Sequence, residues 1–232
     1  MPADARPRAR PIRAVLFDFH ATLVDQGDAA AWLAAAWTHD GRAGTPDGGL
    51  GAREAGRLAA WADRVWEHAR DVDPDGARDL DPAAHRAVFH TLAAAAGVDA
   101  PLTAALYATM LEQWVAYADA APVLAGLQTC GVPVAVVSNV GIDIRTVLAR
   151  EGLAELVDAV VLSYETQSVK PDPEIFTAAL TELAVDPAET LMVGDNWRDD
   201  AGAAALGIRT LILPRTDGGA HGLDAVLRLV DR

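Results

Sequence analysis

The run Ala14-Val15-Leu16-Phe17 leads straight into Asp18, with no polar position among its apolar residues. A short, uninterrupted apolar run predicts a strand covered on both faces, as in a parallel sheet, because a strand with one wet face would alternate. Asp18 then stands at the carboxyl end of that strand, where open α/β sheets hold their ligands. A carboxylate placed there serves as a nucleophile, as a metal ligand, or simply as the aspartate of a turn. Further apolar runs follow at Val132–Val137, Ala159–Leu162, Leu191–Val193 and Thr210–Leu213. Helical spacing separates them, over Gly141–Glu151, Pro171–Leu183 and Ala201–Leu206, and His221–Val230 reads as a closing helix. Strands alternating with helices predict an α/β fold with a doubly wound parallel sheet.

From Asp28 to about Trp114 the pattern is different: alanine-rich, periodic at helical spacing and without a strand signal. The expected helices are Asp28–His39, Ala52–Arg70, Pro82–Ala96 and Pro101–Tyr117, with turn material at Thr45–Gly51 and a loop over Asp71–Gly76. Asp81 as N-cap, Pro82 in the first turn and Gly97 as the stop mark the third of these. The division this predicts is a sheet core from residues 1–24 and 118–232, and a helical cap from residues 25–117. The insertion holds Trp32, Trp37, Trp61, Trp66 and Trp114, expected as filling for a small helical core, with one or two free to touch a substrate. Arg53, Arg57 and Arg64 are its candidate substrate-binding cations. His39, His68, His85 and His90 have no metal-ligand spacing and read as surface or packing residues.

The chain carries a net charge of −14, which argues against sequence-independent binding to nucleic acid. It also means that an anionic substrate needs a metal ion or locally placed cations. Cys130 is the only cysteine, which excludes a disulfide framework and a thiolate metal cluster; it is expected to be a small packing residue. No apolar run approaches the ~20 residues of a membrane span. The arginine-rich stretch Met1–Arg13 lacks the apolar segment of a secretory signal, so a cytoplasmic protein with no membrane partner is expected.

Three more strand ends carry polar groups. Ser138 and Asn139 follow the second apolar run, where a hydroxyl and free backbone N–H groups suit an anion, although Ser-Asn is also ordinary turn chemistry. Lys170 is the only lysine among 19 basic residues, so a compact ammonium is expected to matter at that point. The segment Val193-Gly194-Asp195-Asn196-Trp197-Arg198-Asp199-Asp200 offers several carboxylates just past a buried strand, as a hard cation requires.

These four segments, in this order, resemble the haloacid dehalogenase-like (HAD) superfamily. Asp18-Phe19-His20-Ala21-Thr22 resembles its first motif, Asp-x-Asp-x-Thr; Ser138 matches the second, Lys170 the third, and Gly194-Asp195 the fourth. The resemblance implies a Rossmann-like core with a helical cap and Mg²⁺-dependent removal of phosphate from a small phosphorylated metabolite. Asp18 would be the nucleophile, and Thr22, Ser138, Asn139 and Lys170 would hold the phosphoryl group. Mg²⁺ would be held by Asp18, the backbone carbonyl of His20, Asp195 and a further acid. Asp199 is preferred as that acid, with Asp200 as the alternative one residue on.

His20 departs from the motif, standing where phosphatases of the superfamily carry a second aspartate as acid/base. An imidazole could give and take that proton. The alternative is a scaffold without phosphatase activity, repurposed as a biosynthetic enzyme or binding protein. Haloacid dehalogenases, which resemble this pattern but use no metal, lack the Gly-Asp kept here at Gly194-Asp195, so dehalogenation is the least expected activity.

Overall fold

The computed structural model describes residues 10–216 and 219–230. Five parallel strands form the main sheet: β1 (Ala14–Phe17), β4 (Val134–Ser138), β5 (Ala159–Leu162), β6 (Thr190–Gly194) and β7 (Arg209–Ile212), in the spatial order β5-β4-β1-β6-β7. β1 lies at the centre, with Val15 opposite Val134 on one side and Leu191 on the other. This is the doubly wound, Rossmann-like arrangement expected.

Side-chain alternation divides the central strands between two cores. Val15 and Phe17, Val134 and Val136, and Leu191 and Val193 face one core, completed by α7 (Ala120–Thr129), α8 (Arg145–Arg150) and α11 (Asp224–Val230). Leu16, Ala135 and Val137, and Met192 face the other, against Ile175, Phe176 and Ala179 of α10 (Pro173–Leu183). Burying a Val, Leu or Phe side chain fully stabilises by about 1.5–3 kcal/mol, so no position of β1 can be polar without loss. That requirement is why the strand reads as an unbroken apolar run. The short α9 (Ser163–Thr166) follows β5 directly.

Residues between β1 and α7 fold against one another. α1 (Ala29–His39), α3 (Ala52–Asp63), α5 (Pro82–Ala95) and α6 (Ala100–Thr109) enclose a separate apolar core of Trp32, Trp37, Leu58, Phe89 and Leu106. Asp28 caps α1, its carboxylate accepting from the N–H groups of Ala30 and Ala31, and Asp81 caps α5. Trp61 and Trp66 are half-buried against the same core, so most of the tryptophans do serve as filling.

Several element boundaries differ from the sequence expectation. Thr45–Gly51 contains a short helix, α2 (Pro46–Leu50), capped by the Thr45 hydroxyl. The helix expected over Ala52–Arg70 breaks after Asp63 into a 3₁₀ turn and the four-residue α4 (Ala69–Val72). The one expected over Pro101–Tyr117 ends at Thr109, and Trp114–Ala116 is a strand, β3, pairing antiparallel with β2 (Val24–Gln26). Trp114 is buried against Phe19, so tertiary packing overrides helical spacing there. Both crossings between sheet core and insertion pass through this two-stranded ribbon. Residues 200–206 are 3₁₀ rather than α-helical, and α10 begins at Pro173, with Asp172 before it. Cys130 is exposed at the end of α7, so it is no packing residue.

Candidate active site

The carboxyl ends of β1, β4 and β6 and the loop after α9 converge on a cavity of about 480 Å³. Asp18 sits directly after β1, its N–H extending the ladder to the Val193 carbonyl at 2.8 Å. Thr22, fully buried, donates its hydroxyl to Asp18 Oδ2 at 3.1 Å and fixes the carboxylate's rotation. Lys170 is buried and brings its ammonium 2.5 Å from Asp18 Oδ1 and 2.7 Å from Asp200 Oδ1. Burial by itself would lower the lysine's pKa, but the two carboxylates outweigh it and hold the group above its ordinary value. The ammonium is therefore charged across the physiological range.

Asn139 takes a positioning part besides the one expected. Its side-chain amide donates to the Lys170 carbonyl at 2.9 Å and accepts from the Lys170 N–H at 2.7 Å. Both amide functions thus hold the lysine's backbone, and Asn139 also lines the cavity. Ser138, at the tip of β4, is buried and lines the cavity.

Of the two candidate acids after Asp195, the structure brings Asp200 into the cluster and leaves Asp199 outside it. Asp200 Oδ2 accepts from the Asn196 N–H at 3.0 Å, while Asp199 accepts from the Asn196 side chain and lines the cavity. The 3₁₀ turn starting at Asp200 aims its side chain back under β6, and Gly194 makes room for it. A Cβ on Gly194 would lie 2.0 Å from Asp200 Oδ2. Single-residue spacing cannot resolve this, because it depends on the turn's pitch.

Carboxylate oxygens of Asp18, Asp195 and Asp200 lie within 4.8 Å of one another. Such an all-oxygen donor set fits a hard cation such as Mg²⁺. Burial, with the nearby charges of Asp18 and Asp200, pushes the Asp195 carboxyl up to about 7 against the opposing pull of Lys170. Lys170 alone does not neutralise this cluster, and a divalent cation would.

His20 follows β1 and lines both this cavity and a smaller one of about 170 Å³ beside it. Its ring packs on Trp114, with centroids 5.1 Å apart. Burial lowers its pKa to about 4; Asp25 opposes that shift and Arg215 adds to it. The imidazole is neutral at neutral pH.

The insertion supplies a wall of which sequence reasoning offered only tryptophans. Asp73, Arg78 and Asp79 line the larger cavity, and Trp66 and His85 line the smaller. Asp73 accepts from the N–H groups of Ala77 and Arg78 at 2.9 and 3.0 Å, which folds the acidic loop inwards. Nothing local distinguishes Arg78 from Arg53, Arg57 and Arg64, which lie away from both cavities. A Cβ on Gly141 would overlap the Arg78 carbonyl at 2.0 Å, so the glycine is the one trace in the sequence of this close approach.

A family model described as haloacid dehalogenase-like hydrolase matches residues 12–207, which include every strand of the site. The chain is a haloacid dehalogenase-like hydrolase. It is similar to ribulose-1,5-bisphosphate 5-phosphatase of Halopiger xanaduensis, 36% identical over 53% of this chain and 53% of that protein. It also resembles (S)-2-haloacid dehalogenase 1 of a Pseudomonas species, 34% identical over 43% of this chain and 44% of the relative. The hydrolase thus spans about half the length of the curated relatives it matches. Among solved structures, L-2-haloacid dehalogenase from Xanthobacter autotrophicus with chloropropionic acid covalently bound aligns with a TM-score of 0.64. That alignment is 25% identical and covers 90% of this chain and 80% of that one. Among the described residues, no helix of the hydrolase is long and apolar enough to cross a membrane.

Proposed function

We propose that this hydrolase is a Mg²⁺-dependent phosphatase of small phosphorylated metabolites, with the helical insertion as its cap. The observation that carries this reading is the grouping of Asp18, Asp195 and Asp200 beside a charged lysine. Asp18, Asp195 and Asp200, with the His20 backbone carbonyl, would hold Mg²⁺, which when bound neutralises phosphoryl charge. An Asp18 oxygen attacks phosphorus, the ester P–O bond breaks, and its electron pair leaves with the departing oxygen, which takes up a proton from solvent water. Water then attacks the aspartyl-phosphate, releasing inorganic phosphate and restoring the Asp18 carboxylate. Lys170, Thr22 and Ser138 keep Asp18 and the transferred group in line. The His20 ring, which lines the cavity, would accept the proton of the attacking water and pass it to solvent. Cytoplasmic operation without a macromolecular partner completes the proposal.

The test is phosphate release from a panel of small esters in Mg²⁺ and in EDTA, with Asp18→Asn as control. Mg²⁺-dependent release that disappears in the variant supports the reading; undiminished release from Asp18→Asn overturns it. His20 favours a second reading, a scaffold without phosphatase activity, which silence across the panel from folded protein would support. Halide release from a 2-haloacid in EDTA would instead mark a dehalogenase, as the Xanthobacter relative is.

A further inference from the structure

The two cavities meet at shared walls: His20, Ser138 and Asn139 from the sheet core, Arg78 and Asp79 from the insertion. Arg78 is the one cation among these five. Its Nε lies 3.2 Å from Asp79 Oδ1, its guanidinium carbon stands 5.5 Å over the Trp66 ring, and Nη1 is buried with no hydrogen-bond partner. Because Arg78 lines both cavities, its guanidinium is the one cation among these walls placed to meet an anionic group that spans them.

Its backbone is held from both sides. The Arg78 carbonyl packs against Gly141, the Ser163 hydroxyl donates to the Asp79 carbonyl, and Gln167 Nε2 donates to the Leu80 carbonyl at 3.0 Å. The guanidinium is therefore presented from a fixed turn rather than from a loose loop, which reduces the ordering cost of binding.

The smaller cavity has apolar and ring walls: Phe19, Trp66, His85, Trp114 and Val140, besides His20. His85 is locked by a 2.9 Å bond between Nδ1 and the Tyr107 hydroxyl and by packing against Trp66 at 4.7 Å. Burial, reinforced by the Arg78 charge, lowers its pKa to about 4, so the ring adds no charge at neutral pH. At about 170 Å³ the chamber is close in size to an apolar cavity of ~150 Å³ known to accept benzene.

The larger cavity is lined by seven aspartates against one lysine and two arginines. A second dianion would meet strong repulsion there, whereas a singly charged carboxylate matches one guanidinium edge. We infer that the substrate is a phosphate monoester of a small hydroxy acid bearing a phenyl-sized apolar group, its carboxylate read by Arg78 and its ring seated between Trp66, His85 and Trp114. The phosphoryl end of this assignment rests on the phosphatase reading; the carboxylate and ring do not.

Calorimetric titration of the 232-residue chain in Mg²⁺ with 3-phenyllactate and with 2-phenylethanol separates the two. Wild type should bind the acid at least about tenfold more tightly than the alcohol, the size of one charge-assisted contact. Arg78→Gln should abolish that preference, and lactate, which lacks the ring, should bind at least about tenfold more weakly than 3-phenyllactate. Equal affinities of wild type for acid and alcohol overturn the inference without any variant, as does a preference that survives in Arg78→Gln. Phosphate release from 2-O-phospho-3-phenyllactate is measured in parallel. Selective binding of the acid with no release from the ester counts against the phosphatase reading and leaves recognition by Arg78 supported.

Discussion

Gly194 and Asp200 are packed so closely that a Cβ on the glycine would lie 2.0 Å from the Asp200 carboxylate. The contact is made inside the acidic cluster, where Asp200 accepts from the Lys170 ammonium. Gly194→Ala should therefore expel Asp200 and release one of the lysine's two partners. Overpacking of this kind costs about 1–3 kcal/mol of stability. Denaturant midpoints should fall accordingly, and phosphate release should fall at least ~100-fold, as displacing a positioned group by about 1 Å can do.

The carboxylate cluster carries more negative charge than Lys170 neutralises, so Mg²⁺ should stabilise the fold. At about 100 times its dissociation constant a bound ion adds about 2.7 kcal/mol. Thermal melting in Mg²⁺ and in EDTA measures this directly. Asp195→Asn should remove most of the Mg²⁺-dependent rise in melting temperature, and an undiminished rise would place the ion elsewhere.

Asn139 acts on the lysine's backbone through two bonds of 2.7 and 2.9 Å. Asn139→Ala should lower stability by about 1–3 kcal/mol by leaving those groups without partners. Because both amide functions hold the lysine's backbone, the rate loss should appear in kcat with little change in KM. A loss confined to KM would return Asn139 to the substrate-binding role first expected of it.

His85 provides a pH dependence whose direction follows from its burial. Its pKa falls from 6.5 in the unfolded chain to about 4 in the fold, so between those values the unfolded chain binds more protons. Its contribution is fully present above pH ~6.5 and is lost as pH falls towards ~4, about 3 kcal/mol in all. Urea midpoints measured from pH 7.5 to 4.5 should show this fall, and His85→Gln should flatten part of it. Identical pH profiles for the two proteins would show that His85 is not held neutral.

Much of the site was legible because it is written in local pattern. An apolar run ending in an aspartate and a glycine-aspartate after a buried strand each report the strand end that carries them, and a solitary lysine before a proline reports the loop that follows another. Strand ends of a doubly wound sheet converge by topology, so Asp18, Ser138, Lys170 and Asp195 could be gathered without coordinates, and the resemblance to the superfamily added Thr22. The insertion could be seen as helical from its spacing, although Trp114 was drawn into a strand by its burial against Phe19.

What the sequence by itself determined is the parallel sheet and the residues at its carboxyl edge, because burial on both faces leaves a continuous apolar signature and adjacency along the chain keeps motif with strand. Tertiary structure alone decided the choice between Asp199 and Asp200, the committed amide of Asn139, and the wall formed by Arg78, Trp66 and His85. The first turns on the pitch of a single 3₁₀ turn. The others depend on contacts between residues from twelve to eighty-four positions apart, and local periodicity carries no record of such contacts.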